Sequence, residues 1–491
     1  MKKKSLLNQI CALICFAAQD LSALVSQEKF ECSDVIVRRQ TKRFNSLDSL
    51  TVNLTQASPP LIMDATDVRG DAPFTLKGFL IRPIYFEALP YNGNCTLVFG
   101  WLSTPQSNIT EGGVPGAVLL HGGGSTALRK WCEKWAREGK ASLAIGLEGQ
   151  TDEVKYGGWK STPHPGPKRP PQAYGDYYLQ INQQWMFHAV AQTIQATTLL
   201  RSQSFVNPDF VGVSGVSWGG VISSTVLSFD YERLAFAISA YGCGDMVDSG
   251  GVIDLQMKRS RSEAYYKQVW DPKARLENLL DSGEKIFIPP TLWISWPNES
   301  SFPIERQAST YQTLINHGSS VTVSLIKNLG HGHNPSYQRS ENYAFVDSLV
   351  ESRNSKNLGS TDPGESTYRK AKGDPFAVQI DHYTQPEKDG IGDMLSHTVV
   401  FRSKIPFVAA SKVYACGDIF SAPLFQRLWE STPIQKRFIE SHDCSADARE
   451  CSWSVTVKMP IYNSCAWYVS VTTNTGLEVS SALDIIRKLD V

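Results

Sequence analysis

The sequence predicts an α/β domain, a mostly parallel sheet with helices on both faces, followed by a small C-terminal β-sandwich. Three observations lead there. Between Ala117 and Ser352, short apolar runs alternate with amphipathic stretches, the rhythm of parallel strands joined by crossover helices. After Ser352 the chain turns rich in Ser, Gly, Lys and Pro, and then into strand-like runs separated by turns. The 491 residues are 42% apolar and 20% charged, enough to bury a core in two or three packed units and too apolar for general disorder.

From the N-terminus, Lys2, Lys3 and Lys4 precede an apolar stretch from Leu6 to about Ala18, broken by Asn8 and Gln9. This layout reads as a signal peptide over residues 1–26, with cleavage after Ala17 or near Ser26, so a secreted or periplasmic protein is expected. No later stretch is long and apolar enough for a comfortable membrane span. Residues 27–75 form an N-terminal extension. The α/β domain follows over 76–353, a linker over 354–374 and the β-sandwich over 375–491.

Within the α/β domain, Leu76–Glu87 and Thr96–Leu102 read as strands, joined by a turn near Tyr91-Asn92-Gly93. Ala117–Leu120, Ala141–Leu147, Phe210–Val213, Leu234–Ala240, Thr291–Ser295 and Val321–Ile326 read as the short buried strands. Ala127–Glu138, Ile181–Arg201 and Gln338–Ser352 read as helices. Two segments break the rhythm: Tyr156–Gln172, dense in Gly, Pro and Trp, is expected as a structured loop without helix or strand, and Asp245–Gly283 as a partly helical insertion. Lys plus Arg equals Asp plus Glu at 48 each, so there is no basic excess of the kind a nucleic-acid binder shows.

The chemistry centres on Gly215-Val216-Ser217-Trp218-Gly219, placed after an apolar strand and before a helix-compatible run. In that context the serine sits on a tight turn that lifts its hydroxyl out of the sheet, and small neighbours avoid clashes. His121-Gly122-Gly123-Gly124 ends an earlier strand. A tetrahedral acyl intermediate needs two N–H donors, and the expected pair is the amide of Trp218 with that of Gly123, Gly124 being the alternative. His121 reads as a brace for this loop. A serine also needs a histidine base and an acid to orient it, in chain order Ser, acid, His. His331 follows Gly330 at the end of a strand and is the chosen base, with His333 as runner-up or pocket residue. Glu299 ends the preceding strand and is the chosen acid, with Asp245 as its rival.

These motifs resemble the dienelactone hydrolase and acetyl xylan esterase-like branch of the α/β-hydrolase family, closest to secreted bacterial members with a C-terminal β-domain. The likeness spans roughly Lys77 to Leu349. It rests on Tyr85-Phe86-Glu87-Ala88-Leu89-Pro90-Tyr91, the glycine loop with Trp131 and Trp135, and Gln184-Trp185-Met186-Phe187-His188-Ala189-Val190. The elbow, Tyr241-Gly242-Cys243-Gly244 and Asn298-Glu299 with Phe302-Pro303 complete it. The resemblance implies a carboxylic ester as substrate, small or borne on a polysaccharide. Such relatives have Asp where this chain has Glu299.

No cofactor is expected, because neither a P-loop nor a dinucleotide fingerprint occurs in a fitting context. No metal site is expected either: there is no C-x-x-C, and His164, His188, His382, His397 and His442 do not fall at ligand spacing. Trp159, Trp218 and Trp296 read equally as cleft or core residues. Eight cysteines remain after Cys11 and Cys15. Cys444 with Cys451, and Cys416 with Cys465, is one pairing of the last four, and spacing does not fix it. Sequons stand at Asn53, Asn94, Asn108 and Asn298. Two other functions compete with the esterase. One is a prolyl-oligopeptidase-like peptidase, for whose propeller the chain leaves no room upstream. The other is an inactive, carbohydrate-binding hydrolase-fold protein.

Overall fold

The structure, a computed structural model, describes residues 40, 42–65, 73–106, 112–155, 158–357, 375–386, 394–417, 419, 422–442, 451–460 and 464–486. The expected signal peptide, its cleavage site and most of the linker lie outside the described residues. Strands β1 (Ile62–Asp64), β2 (Phe74–Leu76), β3 (Phe79–Tyr91) and β4 (Asn94–Pro105) are antiparallel. They are followed by β5 (Val114–Leu120), β6 (Ala141–Ile145), a hairpin of β7 (Gln150–Lys155) and β8 (Gly158–Ser161), and β9 (Val206–Val216). β10 (Ala237–Ala240), β11 (Thr291–Ser295) and β12 (Val321–Leu325) end the α/β region. The sheet order is β1-β3-β4-β6-β5-β9-β10-β11-β12, and every neighbouring pair from β6 to β12 is parallel.

The parallel strands are apolar because both faces of the sheet are covered. β6, β11 and β12 are buried at every position. Helices Trp185–Arg201 and Trp218–Asp230 pack on β9 and on each other, while helices Arg129–Arg137 and Ser340–Asn357 meet through Trp135 and Tyr343. The last helix runs four residues into the segment expected as linker, ending at Asn357. The segment from Tyr156, expected as a structured loop without strand, contains the second strand of the β7–β8 hairpin, where Trp159 pairs with Val154. Aromatic and β-branched residues favour an extended backbone there despite the surrounding glycines. Because β5, β6, β9, β10, β11 and β12 all run in the same direction, their six carboxyl ends gather at one edge and feed their loops there.

The C-terminal strands are β13 (Ala377–Pro386), β14 (Met394–Ser403), β15 (Phe407–Cys416), β16 (Glu430–Pro433), β17 (Ile439–His442), β18 (Cys451–Pro460), β19 (Cys465–Thr473), β20 (Glu478–Ser480) and β21 (Asp484–Ile486). β13-β14-β18-β17 form one antiparallel sheet; β20-β19-β15-β16, with β21 on β19, form the other. Phe401, Phe407 and Trp453 pack between them. The second sheet is continuous with the first domain: β20 pairs with β12 at Val323 and Ser480, and the Ser480 hydroxyl accepts the Leu325 N–H at 3.0 Å. Cys416 and Cys465 face each other across β15 and β19 and are disulfide-bonded. Cys95 and Cys451 are also in disulfides; Cys444 lies outside the described residues. Cys132 and Cys243 are buried thiols, and burial pushes Cys132 up to about 12, which leaves it unreactive. No helix among the described residues is long and apolar enough to cross a membrane.

Candidate active site

Ser217 stands between β9 and the helix Trp218–Asp230 with φ 59° and ψ −120°. A non-glycine residue rarely adopts that conformation, and the neighbours hold it there. The Ser217 N–H donates to Ala240 O at 2.8 Å, and a Cβ on Gly219 would collide with the backbone of Leu120. Only glycine fits where helix and strand approach so closely.

The loops after β11 and β12 bring Glu299 and His331 to this turn. His331 Nε2 lies 3.0 Å from Ser217 Oγ, and its Nδ1 lies 2.7 Å from Glu299 Oε2. Glu299 is fully buried, whereas the His331 side chain is 33% exposed. A buried carboxylate needs its lone pairs filled, and four donors converge on this one. Oε2 accepts from His331 and from Trp296 Nε1 at 3.0 Å; Oε1 accepts from Ser301 N–H at 2.8 Å and, at 3.3 Å, from Phe302 N–H. Phe302 stacks on one side of the His331 ring, and Tyr241 packs against it 4.9 Å away. Tyr241 has φ 67°, and its hydroxyl donates to Gly330 O at 2.7 Å, which fixes the loop that carries His331. Burial, with Glu299 close by, raises the Tyr241 pKa, so the phenol stays a donor. Gln307 donates to Tyr241 O at 2.7 Å and Ser295 Oγ at 2.9 Å, tying the loop after β10 to the end of β11.

The two runner-up residues are occupied elsewhere. Asp245, the rival acid, pairs with Arg306 at 3.3 Å and lies 3.9 Å from Lys273 Nζ, while the His331 Nδ1 position is filled by Glu299. His333 Nε2 accepts the Gly122 N–H at 2.8 Å. A histidine that accepts there must be neutral, and burial, helped by His121 and His331, pulls its pKa down to about 4. His121 is likewise buried neutral, at about 4, accepting from Leu147 N–H at 2.9 Å while its Nδ1 lies 2.7 Å from Gly122 O.

The glycine loop is therefore almost fully committed. Both polar groups of Gly122 go to histidines, and the Gly124 N–H goes to Glu148 Oε1 at 2.9 Å. Among the described residues, the N–H groups of Gly123 and Trp218 have no acceptor, as is also true of Gly219 and Gly220 in the first helical turn. Gly123 lies against Trp218, since a Cβ built on it would be 2.6 Å from Trp218 Cδ1 and 2.8 Å from Arg169 Nε. Arg169 in turn pairs with Glu148 at 3.1 Å. Trp218 is buried and edge-on to Tyr174 and Trp185, which makes its ring core; the Trp159 side chain lies outside the described residues. Sequence reasoning missed Gln307, Arg169 and Glu148, which carry no motif. It weighed Trp296 only as cleft or core and named Tyr241 only within a resembling stretch. A hydroxyl, an imidazole and a buried carboxylate linked in this order, beside two unused donors, can activate a serine and receive an oxyanion.

Among known families, the prolyl oligopeptidase family matches residues 172–353, a span that contains Ser217, Glu299 and His331 and begins after the glycine loop. Among solved structures, an acetyl xylan esterase from Paenibacillus sp. R4 is 18% identical and covers 64% of this chain and 93% of its own, at a TM-score of 0.44. An S-formylglutathione hydrolase from Agrobacterium tumefaciens is 13% identical over 57% of this chain and 96% of its own, at 0.40. The acylaminoacyl peptidase of Pyrococcus horikoshii is 15% identical over 59% of this chain and 44% of its own, at 0.39, so this chain spans less than half of that enzyme. No curated protein matches the chain.

Proposed function

We propose that this chain, an α/β-hydrolase by fold, is an exported serine hydrolase that cleaves carboxylic esters through an acyl-enzyme. The observation that carries this reading is the hydrogen-bonded chain Ser217–His331–Glu299 on the strained turn after β9. Ser217 Oγ attacks the ester carbonyl while His331 Nε2 takes its proton, and Glu299 holds the imidazolium by its Nδ1–H. The amides of Trp218 and Gly123 bind the oxyanion of the tetrahedral intermediate. Collapse expels the alcohol, protonated by His331, and leaves the acyl group on Ser217. Water, deprotonated by His331, then attacks the acyl carbonyl and releases the acid.

An ester fits better than a peptide because the charges that border the turn are spent on each other. Arg169 and Glu148 form an ion pair, so neither end of a charged peptide finds a free partner in them. The match to the prolyl oligopeptidase family favours the second reading, peptide hydrolysis. The motifs that resemble acetyl xylan esterases point to an acetyl group, on a small molecule or a polysaccharide. Comparing p-nitrophenyl acetate with peptide p-nitroanilides decides between them. Ester turnover should dominate kcat/KM by orders of magnitude, and faster cleavage of an anilide would transfer the assignment to the peptidases. The disulfide Cys416–Cys465 supports export, since such bonds persist in oxidising compartments.

A further inference from the structure

The histidines that sequence spacing kept apart are brought together in the C-terminal domain. In the antiparallel pair of β13 and β14, Thr384 lies opposite His397, and His382 is two residues along on the same face. The rings of His382 and His397 stack at 5.5 Å, and His382 Nε2 is 3.3 Å from His397 Nδ1. Asp484, on β21 of the other sheet, brings Oδ2 to 3.8 Å from His382 Nδ1. One ligand atom from each of the three residues falls within 4.8 Å of the others.

We infer that His382, His397 and Asp484 form a binding site for a divalent first-row transition ion of the Zn²⁺ type, which clamps the two C-terminal sheets together. The donor set supports that class: imidazole nitrogens with one carboxylate suit borderline ions better than Ca²⁺ or Mg²⁺. The spacing supports it as well. Two nitrogens on a tetrahedral zinc, each about 2.0–2.1 Å from the metal, are about 3.3 Å apart, the separation the two imidazoles have. His397 is 3% exposed, and its Nδ1, the nitrogen nearest His382, also lies 3.0 Å from Thr384 Oγ1. The Trp467 ring, on β19, packs against both imidazoles at 4.9 and 5.6 Å and shields one side of the site. Because the histidines belong to one sheet and Asp484 to the other, a bound ion links the sheets directly.

The test is isothermal titration of the full-length protein, freed of metal with EDTA, with ZnCl₂ at pH 7.5, alongside thermal unfolding. One ion should bind per chain and raise the melting temperature by several degrees. Asp484→Asn should weaken binding at least tenfold, and His382→Gln should abolish it, with ester turnover unchanged in both because neither residue touches Ser217. Absence of saturable binding would overturn the inference. So would unchanged affinity in both variants, which would assign the ion to other histidines. Should His382→Gln misfold, the partly exposed Asp484 provides the deciding variant.

Discussion

The carboxyl edge of the parallel strands and the C-terminal pair of sheets use the same chain in opposite ways. At the edge, the backbone is strained: Ser217 and Tyr241 have positive φ. In the C-terminal sheets, β14 and β18 pair over ten residues, β15 and β19 are bridged by a disulfide, and aromatic rings fill the space between. The first region holds the strained backbone that catalysis needs, and the second the strand pairing that stability needs. Substitutions in the first should therefore change turnover with little effect on unfolding, and substitutions in the second should do the reverse.

The largest effect belongs to the serine. Ser217→Ala should lower kcat for p-nitrophenyl acetate by a factor on the order of 10⁴ or more while leaving the melting temperature within a few degrees of the parent. The acid comes next. Glu299→Gln keeps the shape but loses the charge that stabilises the imidazolium, so kcat should fall on the order of 10²–10⁴-fold. Asp245→Asn, at an ion pair with Arg306, should stay within a fewfold of the parent. The reverse ranking, measured in the same assay, would put the acid on the loop after β10.

Two further effects concern stability. Removing the bond between Cys416 and Cys465, which are 49 residues apart, with a double serine variant should cost about 2–4 kcal/mol in denaturant unfolding and leave kcat unchanged. A loss of turnover without a loss of stability would mean that the two regions are coupled. The smallest effect is the acid limb of the stability curve. Burial holds His121 and His188 at about 4, against about 6.5 in an unfolded chain. Below pH 6.5 the unfolded state binds protons that the folded state refuses, so stability present above that pH is lost as the pH falls toward 4. At pH 5 each histidine should cost on the order of 1–2 kcal/mol. His188→Gln should flatten the decline in melting temperature between pH 6.5 and 4.5, and an equally steep decline would remove His188 from that account.

The same contrast explains what could be read from the sequence. Each strand of the parallel region ends in a short contiguous signal, such as Gly215–Gly219, His121–Gly124 or Gly330-His331, because the fold delivers one loop per strand to a common edge. Glu299 and His331 are 32 residues apart, yet both follow a strand, and that rule alone brings them together. Within the same site, Gln307 and the Arg169–Glu148 pair were illegible, since their roles depend on hydrogen bonds from one loop to another. In the β region nothing local says that His382 and His397, 15 residues apart, are neighbours. Register decides that, and register is set by pairing over whole strands. The continuity of β20 with β12 was hidden for the same reason.

The central claim is that Ser217 is an activated nucleophile, and covalent labelling tests it most directly. The folded protein, treated with a fluorophosphonate at pH 7.5 and weighed intact, should gain a single adduct that maps to Ser217, and Ser217→Ala should gain none. A folded protein that takes up no label, or a Ser217→Ala variant labelled as fast as the parent, would contradict the account.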